Sequence, residues 1–267
     1  MGKDMKTNGK TLLSSLCREM SFRVPTGWKE LSQEDLRYML RLLWIYDGAK
    51  DWEQRVQVAA LLHFAGIEVY KRTDRGWLCR ERKTCKSFLL ECGALPSMLH
   101  SMEWTTRVDD INIRLDTVGR HKAVDFELQE LKFGMYLEAE ALYQSYLQTR
   151  RGNLLVELGK RLYGVGEEEE EPELQKEVLL GVLLWFSAAK QLLGREFPNF
   201  LKPVTGEQET ITRETLMEGM RAQIRLLTKG DVTKEECIRN NVDTWTALAE
   251  LDALSREAEE IKRKYGK

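Results

Sequence analysis

A mainly α fold with a small β element, of the α+β kind, is predicted by three observations. Apolar residues recur at three- and four-residue steps over long stretches, above all from Phe133 onward. The period drops to two in short runs between Ile67 and Leu115. With 42% hydrophobic and 31% charged residues among 267, the chain has interior enough for one large domain or two modest ones beneath a charged surface.

The elements follow in order. Residues 1–24 begin polar and lysine-bearing, and Leu12, Leu13 and Leu16 are too few for a signal-peptide core, so a flexible N-terminal segment is expected. Ser32 can cap a helix, with Asp35 as a short version of the answering arm of a capping box and Leu31 and Leu36 as a hydrophobic staple. Leu36, Leu40, Leu43 and Trp44 carry that helix's apolar stripe to about Tyr46. A second helix starts at Asp51, turns Val56, Ala59, Ala60 and Phe64 inward, and stops at Gly66, which suits a left-handed C-terminal cap.

Beyond Gly66, Ile67 and Val69, then Trp77 and Leu78, flank the turn-like Thr73-Asp74-Arg75-Gly76, predicting a β-hairpin. Ile111, Ile113 and Leu115 alternate with Asn112 and Arg114, predicting a further half-buried strand. Residues 25–130 therefore read as a mixed part and residues 131–267 as a helical part, the two being either separate or continuous.

In the helical part, Phe133, Tyr136, Leu137, Glu140 and Tyr143 share one face, and Leu154, Leu155, Leu158 and Leu162 mark a helix ending at Gly164. An acidic loop spans 166–172, where Glu167 to Glu171 repel one another before Pro172. A helix from about Leu174 to Leu193 follows. Its apolar run, Val178 to Ala189, falls short of the roughly 20 residues that cross a bilayer and reads as a buried core helix. Pro198 closes it at the corner Glu196-Phe197-Pro198-Asn199-Phe200. After a polar loop at Thr205–Thr210, a helix carries Leu216, Met220, Ile224 and Leu227 to Gly230. Thr233-Lys234-Glu235-Glu236 has the form of a capping box, and Ile238, Val242, Trp245, Leu248, Leu251, Ala258 and Ile261 predict one long amphipathic C-terminal helix.

Lys and Arg number 41 against 43 Asp and Glu, so no overall field draws the chain to nucleic acid or an anionic membrane. Five cysteines without a preceding secretory signal point to reduced thiols and a cytoplasmic location.

Little in the sequence carries chemistry. Cys79, Cys85, Cys92 and His100 are a weak zinc candidate, since zinc favours thiolate and imidazole ligands. Their gaps exceed the short knuckles of structural zinc sites, and free thiols are the other reading. His63 lies on an apolar helix and reads as a satisfied core histidine. His100 and His121 stand in unrelated settings, and no nucleophile elbow, P-loop or dinucleotide turn accompanies them. Asp109 and Asp110 offer metal-binding carboxylates, but without a second acidic motif at a matching strand end a turn before the strand is the favoured reading. No catalytic residue and no cofactor is expected.

The basic cluster Lys71, Arg72, Arg75, Arg80, Arg82, Lys83 and Lys86, interleaved with Tyr70 and Trp77 in the hairpin at 70–86, offers phosphate contacts and base stacking as an alternative function. Partner binding is expected instead at the C-terminal helix, through Trp245, Leu248 and Leu251 with the aromatic corner Phe197 and Phe200. Packing of these residues on their own domain is the competing reading.

Three segments carry a resemblance. Pro25-Thr26-Gly27-Trp28-Lys29-Glu30-Leu31 with Leu36-Arg37-Tyr38, then Phe197-Pro198-Asn199-Phe200, then Ala222-Gln223-Ile224-Arg225-Leu226-Leu227-Thr228-Lys229-Gly230-Asp231 with Asp243-Thr244-Trp245, resemble a family of phage and prophage tail-morphogenesis proteins of Bacteroidetes. The resemblance covers most of the chain from Pro25. It implies a non-enzymatic tail assembly chaperone of the bacterial host cytoplasm, binding tape-measure or tail-tube proteins. Its structural variant is a neck or tail-completion component retained in the virion.

Overall fold

The computed structural model describes residues 22–166, 174–201 and 213–265. Cys17, the acidic run Glu167–Glu171 and the loop Thr205–Thr210 lie outside the described residues, as does most of the segment expected to be flexible. Helix dominates and strand is minor, as the periodicity requires. The chain divides into two compact units, Met1–Asp110 and Ile111–Lys267, with the boundary earlier than the composition suggested.

In the first unit, α1 (Gln33–Tyr46) starts at Ser32, whose Oγ accepts the Asp35 N–H at 3.1 Å. The capping box is incomplete: the Asp35 carboxylate accepts the Ser32 hydroxyl at 2.7 Å rather than reaching the Ser32 backbone. Leu36, Met39, Leu40, Leu42 and Leu43 are buried, while Trp44, expected on the stripe, is 43% exposed. Helix α2 (Trp52–Phe64) buries Val56, Ala60 and Leu61 and turns out through Gly66 at φ 63°.

Strands β1 (Ile67–Thr73), β2 (Gly76–Glu81) and β3 (Ser87–Glu91) form an antiparallel sheet in that order. Strand β3 was not marked by periodicity. Gly76 is obligatory at its turn: it has φ 156°, and a Cβ there would lie 2.0 Å from the Leu90 carbonyl oxygen across the ladder. Ile67, Cys79, Phe88 and Leu90 form the sheet's core with Ala65, and Phe22 and Val24 pack against it, so the predicted flexible segment is anchored at its end. Short α3 (Leu95–His100) completes the unit.

In the second unit, the strand predicted at Ile111–Leu115 is absent. Ile111 and Leu115 are buried, but the segment is irregular, and Leu115 gives its carbonyl to the Tyr163 hydroxyl at 2.9 Å rather than to a ladder. The strand pairing lies just beyond, in β4 (Thr117–Val118) and β5 (His121–Lys122) around Gly119. Residues up to Leu131 join this unit because their backbone receives its side chains: Phe126 accepts Trp185 Nε1–H at 3.0 Å, and Glu127 accepts Trp245 Nε1–H at 2.8 Å.

Helices α4 (Phe133–Thr149), α5 (Gly152–Leu162), α6 (Lys176–Glu196), α7 (Arg213–Thr228), α8 (Glu235–Asn241) and α9 (Thr244–Tyr265) follow. Helix α6 runs 21 residues, longer than its apolar stretch, and by length and composition alone it could span a membrane. Here it buries Val178, Val182, Trp185, Phe186, Ala189 and Leu193 within the unit. Lys190 reaches Glu140 of α4, which also accepts from Gln144 at 2.8 Å. At Gly134 a Cβ would come within 2.9 Å of the Arg239 carbonyl oxygen, so only glycine lets α4 and α8 approach this closely.

The single C-terminal helix and its capping box are both overturned. The Thr233 hydroxyl and N–H go to Asp231 Oδ1 at 2.6 and 3.0 Å, and α8 starts without a side-chain cap. Between α8 and α9, Val242 accepts the Phe133 N–H at 2.9 Å, and Leu131 accepts the Thr244 N–H and hydroxyl at 2.8 and 2.7 Å. Residues 242–244 are thus drawn out to meet 131–133, with a bridge between Lys132 and Asp243, and helix cannot continue through them. Asp243 restarts it by accepting the Thr246 N–H at 2.8 Å.

Candidate partner-binding helix

Helix α9 is held at its start by groups from several segments. The Trp245 ring meets Phe197 edge-to-face at 5.4 Å, while its indole N–H is fixed on Glu127. About two turns further, the Asp252 carboxylate accepts the Asn199 N–H at 2.7 Å, the Asn199 side-chain amide at 2.7 Å and the Phe200 N–H at 3.0 Å. Burial pushes the Asp252 carboxyl up, and the bonds from Asn199 and Phe200 outweigh it, leaving the group below the usual carboxylate range. The aromatic corner is therefore clamped to α9 by a residue the sequence reading did not single out. Only the pairing of Asp252 with a corner 52–53 residues away reveals it, and no local spacing does.

This corrects the expected binding surface. Leu248 and Leu251 are 0% and 1% exposed, and Phe197 is buried with them, so they serve the unit's own core. Trp245 and Phe200 are half-buried. Exposure begins later: from Arg256 to Tyr265 every residue except Glu259 is exposed, with Ile261 at 60% and Tyr265 at 81%.

That exposed half still has a pattern. Leu251, Leu254, Ala258, Ile261 and Tyr265 are spaced three and four apart, so the stripe that enters the core at Leu251 continues onto bare helix. The sequence favours helix there: Glu259 precedes Arg263 and Glu260 precedes Lys264 by four residues, and Lys262, Arg263 and Lys264 sit in the last turn, where the macrodipole favours cations.

No protein-family model, characterised protein or solved structure matches this chain.

The other candidate residues fall apart or are committed elsewhere. Cys79 is buried in the sheet core, Cys85 and Cys92 are exposed, and His100 Nδ1 lies 2.7 Å from Glu103. Among the described residues, no three His, Cys, Asp or Glu side chains are placed to share a metal ion.

In the hairpin, Arg80 and Arg82 pair with Glu68 at 2.9 and 3.4 Å, and the Arg80 guanidinium lies 5.1 Å from the Tyr70 ring centre. The Arg80 bond holds the Glu68 carboxyl below its ordinary range. Lys71, Arg72, Arg75, Lys83 and Lys86 remain exposed, a reduced version of the basic face the sequence suggested.

His63 is indeed satisfied: Nε2 lies 2.9 Å from Asp35 Oδ1, and the ring stacks on Tyr38 at 3.8 Å. Ser32 bonds to Asp35 and not to His63, so Ser32, Asp35 and His63 lack the nucleophile–base contact that a catalytic triad requires.

Proposed function

We propose that this chain is a non-enzymatic, chaperone-like binding protein of phage tail assembly. It offers the exposed half of α9 to an apolar groove on a tape-measure or tail-tube protein. The observation that carries this reading is the stripe Leu254, Ala258, Ile261 and Tyr265, which leaves the unit's core and continues uncovered on a helix its charges favour. A lone helical segment of this length is marginal in water, and docking by its apolar face is what such a segment gains most from. The tail setting rests on the resemblance of the three segments, and the cytoplasmic location with it.

The test is co-expression with the tape-measure protein and affinity capture of the complex. Wild-type chain is expected to retain the partner, and Ile261→Asp with Tyr265→Ser to lose it while melting as wild type does. Capture unaffected by both substitutions would remove α9 as the binding element. Stoichiometric copies in purified virions would favour the neck or tail-completion reading over the chaperone.

A further inference from the structure

A second surface of the same unit has the form of a receptor for a helix. Helix α4 presents Glu138, Ala141, Leu142, Ser145 and Thr149 at steps of three and four, one continuous face, toward a groove of about 610 Å³. Leu154 of α5 and Met217 and Met220 of α7 complete its apolar lining, while Arg151, at the start of α5, and Arg239 of α8 stand at it. The volume lies within the range of pockets that bury a ligand, so the groove takes more than one side chain.

Two features fix the kind of occupant. The first is charge. Glu138 is already held by Arg161 at 3.0 Å, whereas neither Arg151 nor Arg239 has an ion-pair partner among the described residues. Both guanidinium groups, exposed at Arg151 and half-exposed at Arg239, are thus open to a partner's carboxylates, and guanidinium matches carboxylate in a two-pronged fork. The second is the floor. Methionine is unbranched and polarizable, and Met217, 39% exposed, can repack around side chains of varied shape. An apolar floor with i, i+3 and i+4 spacing, bordered by cations, matches an amphipathic helix whose flanks carry Asp and Glu.

We infer that the groove between α4, α5 and α7 binds an acidic amphipathic helix of a partner protein. This goes beyond the role proposed for α9, because the groove uses no residue of α9's exposed half, and the two surfaces fail in separate experiments.

The experiment measures fluorescence anisotropy of two labelled synthetic peptides against the full chain. Each is a helix with Leu at i, i+3, i+4 and i+7, one flanked by Glu and the other by Lys. The Glu peptide is expected to bind and to weaken with added salt, and the Lys peptide to fail. Arg151→Glu combined with Arg239→Glu should weaken the Glu peptide at least about tenfold, a change of about 1.4 kcal/mol in binding. Ile261→Asp should leave it unchanged.

Equal binding of both peptides, or indifference to the double charge reversal, would overturn the proposal. So would saturable binding of laurate that depends on both arginines while the Glu peptide fails to bind, since the occupant would then be an anionic amphiphile. If the charge-reversed chain melts lower than wild type, Met217→Lys, on an exposed side chain of the floor, gives an independent readout and is expected to abolish Glu-peptide binding.

Discussion

In the first half of α9, Ala247, Leu248 and Leu251 are buried, and Thr244, Trp245 and Asp252 are tied to Leu131, Glu127 and the Asn199–Phe200 corner. In the second half, from Arg256 to Tyr265, the same three-and-four spacing continues on side chains that are exposed, all but Glu259. One sequence pattern thus serves two ends. Periodicity states which side chains share a face of a helix. It does not state who covers that face, and here the chain itself covers only the first half.

The largest effect should come from breaking the covered half. Leu248→Ala removes a fully buried side chain and is expected to cost about 2–5 kcal/mol of unit stability, read as a lower urea midpoint with unchanged slope. Trp245→Ala, half-buried, should cost less, about 2 kcal/mol, from the lost ring contact with Phe197 and the Glu127 carbonyl left without its donor. A Trp245→Ala chain with wild-type stability would mean that the ring belongs to an interface instead.

The same comparison explains what was legible in the sequence. Ser32, Gly66 and the Thr73–Gly76 turn were readable because each acts within a few residues: a hydroxyl meets an N–H three positions on, a glycine takes positive φ, a turn closes a hairpin. Strand β3 was not readable, since its place depends on Gly76 letting the Leu90 carbonyl pass within a methyl's reach. Nor was the break between α8 and α9, because Val242 and Thr244 are good enough in a helix until Phe133 and Leu131 claim their backbone groups from more than a hundred residues away. Ile111–Leu115 failed in the opposite sense: its alternation is real, but no neighbouring strand exists for it among the described residues. The candidate site divides in the same way. The stripe was visible, and the point where it leaves the core was not.

A smaller effect separates the halves by pH. The Asp252 carboxyl titrates below its ordinary range because three donors from Asn199 and Phe200 outweigh its burial. A depressed folded value means that its contribution is present above the unfolded value and disappears as pH falls through the folded one. Asp252→Asn should therefore lower stability by about 1 kcal/mol at neutral pH, and the difference from wild type should shrink as pH falls through the folded value of Asp252. Other carboxylates titrate in both chains, so the quantity to read is the gap between the two urea midpoints across pH. A gap that stays constant down to acid would mean that packing of the corner, not the charge of Asp252, holds it to α9.

The smallest effect is expected in the uncovered half, and it bears most on function. Ile261→Ala and Tyr265→Ala remove apolar surface that the fold leaves in water, so each should change stability by less than about 0.5 kcal/mol. Amide exchange should follow the same division. The N–H groups of Ala247 to Leu251 should open only with the unit, while those beyond Arg256 should exchange by local fraying, since nearly all side chains there are exposed. Addition of a partner that docks on the Leu254–Tyr265 stripe should transfer the slow behaviour to the second half, because exposed helix would gain a packed face. Slow exchange beyond Arg256 in the free chain would show that this half is already covered by another copy. In that case Ile261→Ala should lower the apparent mass in solution as well as the protection.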